Sequence, residues 1–181
     1  MAGNIEPLKD ICIAVVKVSQ TCWQLTEPML KFEDSKDRQL SGFGVFCEYL
    51  YFFMHLTCRT AFQLRLTEQQ IESLQAYLGP VIASTAIDSF VGHWPADVKE
   101  KVLADFYSKL NDAEIEYSRC KEVFDGKFLG ESLFMKLAWN IAELSGNPMN
   151  PATIALVVSF AIDEYKAMSL DTLVLQAGKV L

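Results

Sequence analysis

The stretch "FGVFCEYLYFFMHLTCRTAF", residues 43–62, is apolar or aromatic almost throughout, yet it carries Glu48, His55 and Arg59. No sustained period-2 alternation runs through it, so it does not read as a half-buried strand. It is also a poor membrane span. From Phe43 to Cys58 there are only about 16 residues against the roughly 20 that a crossing helix needs, and Glu48 would lie inside. A helix apolar nearly all round is one surrounded by other helices, and the reading places it at about 41–65 as the central element of the fold.

Outward from that helix the chain is helical in both directions. Leu8, Ile11, Val15, Val18, Cys22, Leu25 and Met29 alternate spacings of three and four, the seam of an amphipathic helix. Pro7 suits its first turn, and Pro28 with the polar run "FEDSKDRQLSG" ends it. After the central helix, Thr67 and Gln70 occupy capping-box positions at the start of a third helix reaching about His93. Gly79 and Pro80 are expected to kink that helix, because proline removes a backbone donor and clashes with the preceding turn.

Pro95 opens a fourth helix to about Phe124, with Val98, Val102, Phe106, Leu110, Ile115 and Tyr117 as core positions. The turn "DGKF" at 125–128 precedes a fifth helix at about 130–144. Asn150 as N-cap and Pro151 at the first helical position begin a sixth, to about Met168. Ser169 and Asp171 either restart a short final helix or belong to one long one. The reading is an all-α fold, a single-domain bundle of six or seven helices spanning residues 1–181, with no internal repeat.

A domain of 181 residues buries a sizeable core without staples. The apolar fraction of 51% against 22% charged residues is far from the disordered regime. A net charge of −7 surrounds the molecule with a field that repels phosphate backbones and anionic headgroups, so neither nucleic acid nor membrane is an expected partner. The five cysteines are odd in number and include no C-x-x-C pair, which is neither a disulfide framework nor a zinc spacing. Free thiols, together with an N-terminus that lacks the basic start and clean apolar core of a signal peptide, give the expectation of a cytoplasmic protein.

Motifs of the large enzyme classes are missing: no G-x-S-x-G, H-E-x-x-H, phosphate-binding G-x-x-x-x-G-K-[ST], EF-hand loop or dinucleotide glycine fingerprint occurs. A di-iron bundle needs Glu-x-x-His on two helices, and neither His55 nor His93 has a glutamate three residues before it. In length, acidity and helical character the chain is similar to the cytoplasmic chaperones that escort redox enzymes before export. Neither "TEPML" nor "YLGPVIASTAID" supplies their Glu-Pro-x-Asp-His type of motif, so no family is assigned.

The polar residues of the opening stretch form one line. At 100° per residue, Glu48, His55 and Arg59 fall within about 40° of one another on the helix circumference. Glu48 and His55 are too far apart along the axis to touch, whereas Arg59 at i+4 can lean over His55, a cation beside an imidazole that favours the neutral ring. Three readings of the stripe compete: an edge open to water, a buried network fixing helix register, and a ligand pocket. If buried, Glu48 and Arg59 need partners from elsewhere, with Asp88, Glu114, Glu116, Glu143, Asp163 and Glu164 as candidate acids and Tyr51, Tyr117 and Tyr165 as candidate donors. His93 reads as a helix-end cap, and Trp23, Trp94 and Trp139 as core or interface anchors.

The function expected from sequence is non-enzymatic: a protein acting through protein–protein interaction, either self-association as a homo-oligomer or a chaperone-like or adaptor-like role. No catalytic residue, metal ligand or cofactor is assigned. The alternative is a small-molecule-binding or metal-binding protein whose pocket uses Glu48, Tyr51, Phe52, His55 and Arg59.

Overall fold

The computed structural model describes residues 5–31, 35–121, 132–146, 148 and 150–181. Its helices are α1 (Glu6–Thr26), α2 (Ser35–Gln63), α3 (Glu68–Val91), α4 (Ala96–Ser118), α5 (Leu133–Leu144), α6 (Pro151–Met168) and α7 (Leu170–Gly178), with a 3-10 turn at Glu27–Met29. No β-strand occurs among the described residues. The all-α bundle expected from the sequence is the fold observed.

Helix α2 is central because nothing else can solvate it. Every residue from Val45 to Thr57 is buried, and α1, α3, α4, α5 and α7 all pack on it. Each large apolar side chain so enclosed contributes about 1.5–3 kcal/mol relative to exposure. The helix begins at Ser35, earlier than the expected 41, so the polar run "SKDRQLSG" is helical rather than a terminator of α1. Gln39 and Leu40, one turn in, are exposed.

The C-terminus of α2 is sharp. Arg65 takes a left-handed conformation (φ 62°), the Leu66 N–H donates to the Ala61 carbonyl at 3.0 Å, and the Arg65 N–H donates to Phe62 at 3.0 Å. This is a Schellman closure with arginine in the place usually held by glycine.

Helix α1 follows its expected seam through Leu8, Ile11, Val15, Val18 and Cys22, after which Thr26 rather than Leu25 is buried. Eighteen residues are five whole turns, so Thr26 returns to the azimuth of Leu8 while Leu25 turns outward. The Thr26 and Tyr49 hydroxyls share a hydrogen bond of 2.6 Å in the core. Tight packing also marks this contact of α1 with α2, where Gly42 lies against Trp23 so closely that a Cβ would stand 2.9 Å from the indole Cη2.

The capping box of α3 is present: Thr67 Oγ1 accepts the Gln70 N–H at 3.2 Å, and Gln70 Oε1 accepts the Thr67 N–H at 2.9 Å. The helix continues through Pro80, which sits on the exposed side. The carbonyl deprived of its donor belongs to Ala76, also exposed, so water can satisfy it. In α4, Phe106 and Tyr117 are buried as expected, but Ala113 joins them while Ile115 faces outward. Helix α4 ends at Ser118, short of the expected Phe124, because the chain turns at Arg119 and Cys120, and α5 starts at Leu133, where the Ser132 side chain caps it, rather than near 130; the "DGKF" turn lies outside the described residues. Asn150 caps α6 by accepting from Ala152 and Thr153. Ser169, with φ 51°, breaks the chain between α6 and α7, so the last segment restarts as its own helix. All five cysteines are free, and no helix among the described residues is long and apolar enough to cross a membrane.

Candidate functional site

Helices α4 and α5 both pack on α2 but scarcely on each other. Between them a cleft of about 800 Å³ opens over the N-terminal half of α2. Phe43, Gly44, Cys47, Glu48 and Tyr51 form its floor, at the three- and four-residue spacings of a single helix face. Phe106, Lys109, Ala113 and Glu116 wall it from α4, and Asn140, Glu143 and Leu144 from α5.

Glu48 is the chemically distinctive group. It is only 8% exposed. Its Oε1 accepts the Tyr117 hydroxyl from α4 and the Asn140 Nδ2 from α5, the latter at 2.8 Å. Asn140 Nδ2 also donates to Glu116 Oε2 at 3.0 Å, and Lys136 Nζ pairs with Glu116 Oε1 at 2.5 Å. A chain of polar contacts thus spans the cleft base, joining the two helices that otherwise barely meet. The second Glu48 oxygen, Oε2, accepts no hydrogen bond from the described residues.

Burial pushes the Glu48 carboxyl above its ordinary range, the Tyr117 and Asn140 hydrogen bonds pull it back, and nearby Glu116 raises it again. Tyr117 is pushed well above the usual phenol range, first by its own burial and then by the Glu48 charge. Cys47 on the floor is raised to about 12, mainly by burial. No group on the floor is therefore poised as a nucleophile at neutral pH.

The residues singled out from sequence part company in three dimensions. Glu48 and Tyr51 line the cleft; Phe52, His55 and Arg59 do not. Phe52 is fully buried against Phe53, Tyr117 and Phe134. His55 lies beyond the cleft, its ring 5.8 Å from that of Tyr117, whose hydroxyl is on Glu48. His55 Nδ1 is 3.0 Å from Glu114 Oε2, an ion-pair distance, yet neither ring nitrogen makes a hydrogen bond of acceptable geometry, so the carboxylate sits near the ring but off the N–H direction. Arg59 donates to the Cys120 carbonyl at 3.2 Å, past the end of α4. The stripe is one line on α2 but serves two separate neighbourhoods.

Of the six candidate acids, Glu116 meets the Glu48 network and Glu114 meets His55, while Glu143 lines the cleft and Asp88 is exposed. Trp94 also lines the cleft, Trp23 packs against Phe90, and Trp139 is exposed. His93 lies past the end of α3, exposed beside Trp94. Sequence reading missed Asn140 and, on the α4 wall, Asp105, Lys109, Asp112 and Ala113, while Phe106 was named only as a core position and Glu116 only as one of six candidate acids. The only signal for them was the i, i+3, i+4 recurrence of Asp105, Phe106, Lys109, Asp112, Ala113 and Glu116, a pattern indistinguishable from an ordinary amphipathic face until its neighbour is known. Among the described residues, no group of three or more metal-type ligands converges.

Compared with protein-family models, characterised proteins and solved structures, the chain matches none.

Proposed function

We propose that this chain is a binding protein that takes a small organic ligand into the cleft between α4 and α5. One observation carries the reading: a buried carboxylate at the cleft floor, with one oxygen fixed by two donors and the other accepting nothing. Oε2 is not among the buried atoms that lack a partner, so it opens to the cleft as an acceptor at the base of the site, the kind of placed polar group that orients a small ligand. The cleft volume falls in the range of small-ligand sites, roughly 300–1,000 Å³ with mostly apolar walls and a few placed polar groups. No step of turnover is part of this reading. An acidic chain with free cysteines suits a reducing cytoplasm.

The test is a fragment screen read by amide chemical shifts. Binding in the cleft moves resonances of Phe43, Tyr51, Trp94 and Asn140 together; shifts scattered over the surface, or none at millimolar fragment, overturn the reading.

A second reading, favoured by the rim, has a partner protein's segment lying in the same cleft. Leu40 (50% exposed), Ile115 (54%) and Leu144 (38%) stand at its edge, the kind of apolar rim that receives a docked helix or peptide. A strict monomer by light scattering, with no protein co-purifying from a native lysate, counts against this second reading and leaves the first intact.

A further inference from the structure

We propose, on the basis of the cleft reading above, that the ligand is an organic ammonium ion with an apolar or aromatic body. Charge sets the sign. Among the described lining residues, Glu48, Asp105, Asp112, Glu116 and Glu143 stand against Lys109 and Arg119. Glu116 is already engaged by Lys136 and Asn140, whereas Glu48 has a hydrogen-bonded carboxylate oxygen and no cation paired with it among the described residues. An anion entering the cleft meets that buried negative charge, and a neutral ligand adds no cation to the longer-range attraction of Lys136.

The hydrogen-bond pattern then separates one cation from another. A guanidinium presents a planar fork that is best matched by both oxygens of a carboxylate. Here Oε1 is already filled by Tyr117 and Asn140, so only Oε2 is open. A single acceptor suits an ammonium, a compact charge with three rotatable donors. The walls supply the remainder: Tyr51 and Phe106 lie with ring centroids 5.0 Å apart, and Phe43 and Trp94 also line the space. Aromatic faces attract an ammonium and bury an apolar body in the same cleft.

Three near-isosteric probes test the assignment: phenethylammonium, the neutral phenethyl alcohol and the anionic phenylacetate, each titrated into the full chain and followed by cleft amide shifts. The expected order is ammonium first, at least about tenfold tighter than the alcohol, since a hydrogen bond to a charged group contributes about 1.5–3 kcal/mol. Glu48→Gln is expected to erase that preference, so that ammonium and alcohol bind with equal affinity. Asp105→Asn, at an exposed position, is expected to reduce the preference by a smaller factor, and it keeps the proposal testable if Glu48→Gln does not fold. Equal binding of ammonium and alcohol, or preference for the carboxylate, overturns the ammonium assignment and leaves the cleft reading standing. If none of the three moves the cleft resonances at millimolar concentration, the assignment and the cleft reading fall together.

Discussion

Asn140 Nδ2 on α5 lies 2.8 Å from Glu48 Oε1 on α2, and the same oxygen takes the Tyr117 hydroxyl of α4. One buried atom therefore ties together three helices, two of which have little other contact.

That sharing predicts non-additivity. Tyr117→Phe and Asn140→Ala are each expected to destabilise the fold by about 1–3 kcal/mol, the cost of removing a partner from a buried polar group. The double variant is expected to depart from the sum by more than about 0.5 kcal/mol, because a carboxylate that keeps one donor is far better off than one that keeps none. Urea denaturation at neutral pH measures all three; additive losses would show that the two donors act independently.

Glu48 also has an unusual pH signature. Its folded pKa is raised above the ordinary glutamate value of 4.5, principally by burial, so the fold favours the protonated form. Its contribution to stability is fully present below about pH 4.5 and is lost as pH rises through the folded pKa, opposite to a salt-bridged carboxylate. Glu48→Gln keeps an oxygen for both donors and cannot ionise. Its stability relative to wild type is expected to increase between pH 4.5 and 8, and a flat or falling difference in denaturation midpoint would contradict the assigned direction.

Two glycines of α2 should respond in opposite senses. Gly42→Ala drives a methyl to 2.9 Å from the Trp23 ring, which packs edge-on against Phe90; overpacking of about 1–3 kcal/mol outweighs the helix-propensity gain of about 1 kcal/mol. Gly44→Ala meets only Leu144 at 3.7 Å, an ordinary contact, and is expected to stabilise by up to about 1 kcal/mol. Thermal melts of the pair, with Trp fluorescence for Gly42→Ala, decide the matter.

His55 should prove dispensable for binding. It is buried with both ring nitrogens lacking a hydrogen bond and lies outside the cleft. His55→Leu is expected to change stability by less than about 1 kcal/mol or to raise it, since an apolar group of similar size removes two buried nitrogens that make no hydrogen bond, and the Glu114 carboxylate 3.0 Å away is 37% exposed and keeps its solvation. Ligand affinity in the cleft should be unchanged. Loss of cleft binding in this variant would instead tie the two ends of the stripe together.

Thiol reactivity follows burial. The Cys12 thiol is pushed up to about 11, Cys47 and Cys58 to about 12, and Cys22 higher still, all chiefly by desolvation. Cys120 is half-buried and also raised. An aromatic disulfide reagent at pH 8 is expected to modify Cys120 first and the partly exposed Cys58 more slowly, with buried Cys12, Cys22 and Cys47 reacting only on unfolding. Fast modification of Cys47 in the native protein would show that the cleft floor is open to solvent more often than its burial indicates.

Periodicity and capping made most of the fold legible. The apolar circumference of residues 45–57 determined that α2 is enclosed, Thr67 with Gln70 and Asn150 with Pro151 determined where α3 and α6 begin, and the α1 seam determined which face meets the core. These are local facts, carried by residues within a turn or two of one another. Local pattern could not show that α2 begins at Ser35, since a polar first turn resembles a loop, nor that Arg65 would accept a left-handed conformation.

The site was legible only as a direction on one helix. Sequence placed Glu48, His55 and Arg59 on a common line, and it could name Tyr117, Glu114 and Glu116 only as candidates among many. Tertiary packing decided that α4 and α5 straddle α2 without closing on each other, that Glu48 meets Tyr117 and Asn140 at the base of the resulting cleft, and that His55 and Arg59 pass out of it. The physical reason is that a helix specifies its own faces through the fixed rotation per residue. What a face touches depends on the separation and tilt of other helices, which no spacing within the face encodes.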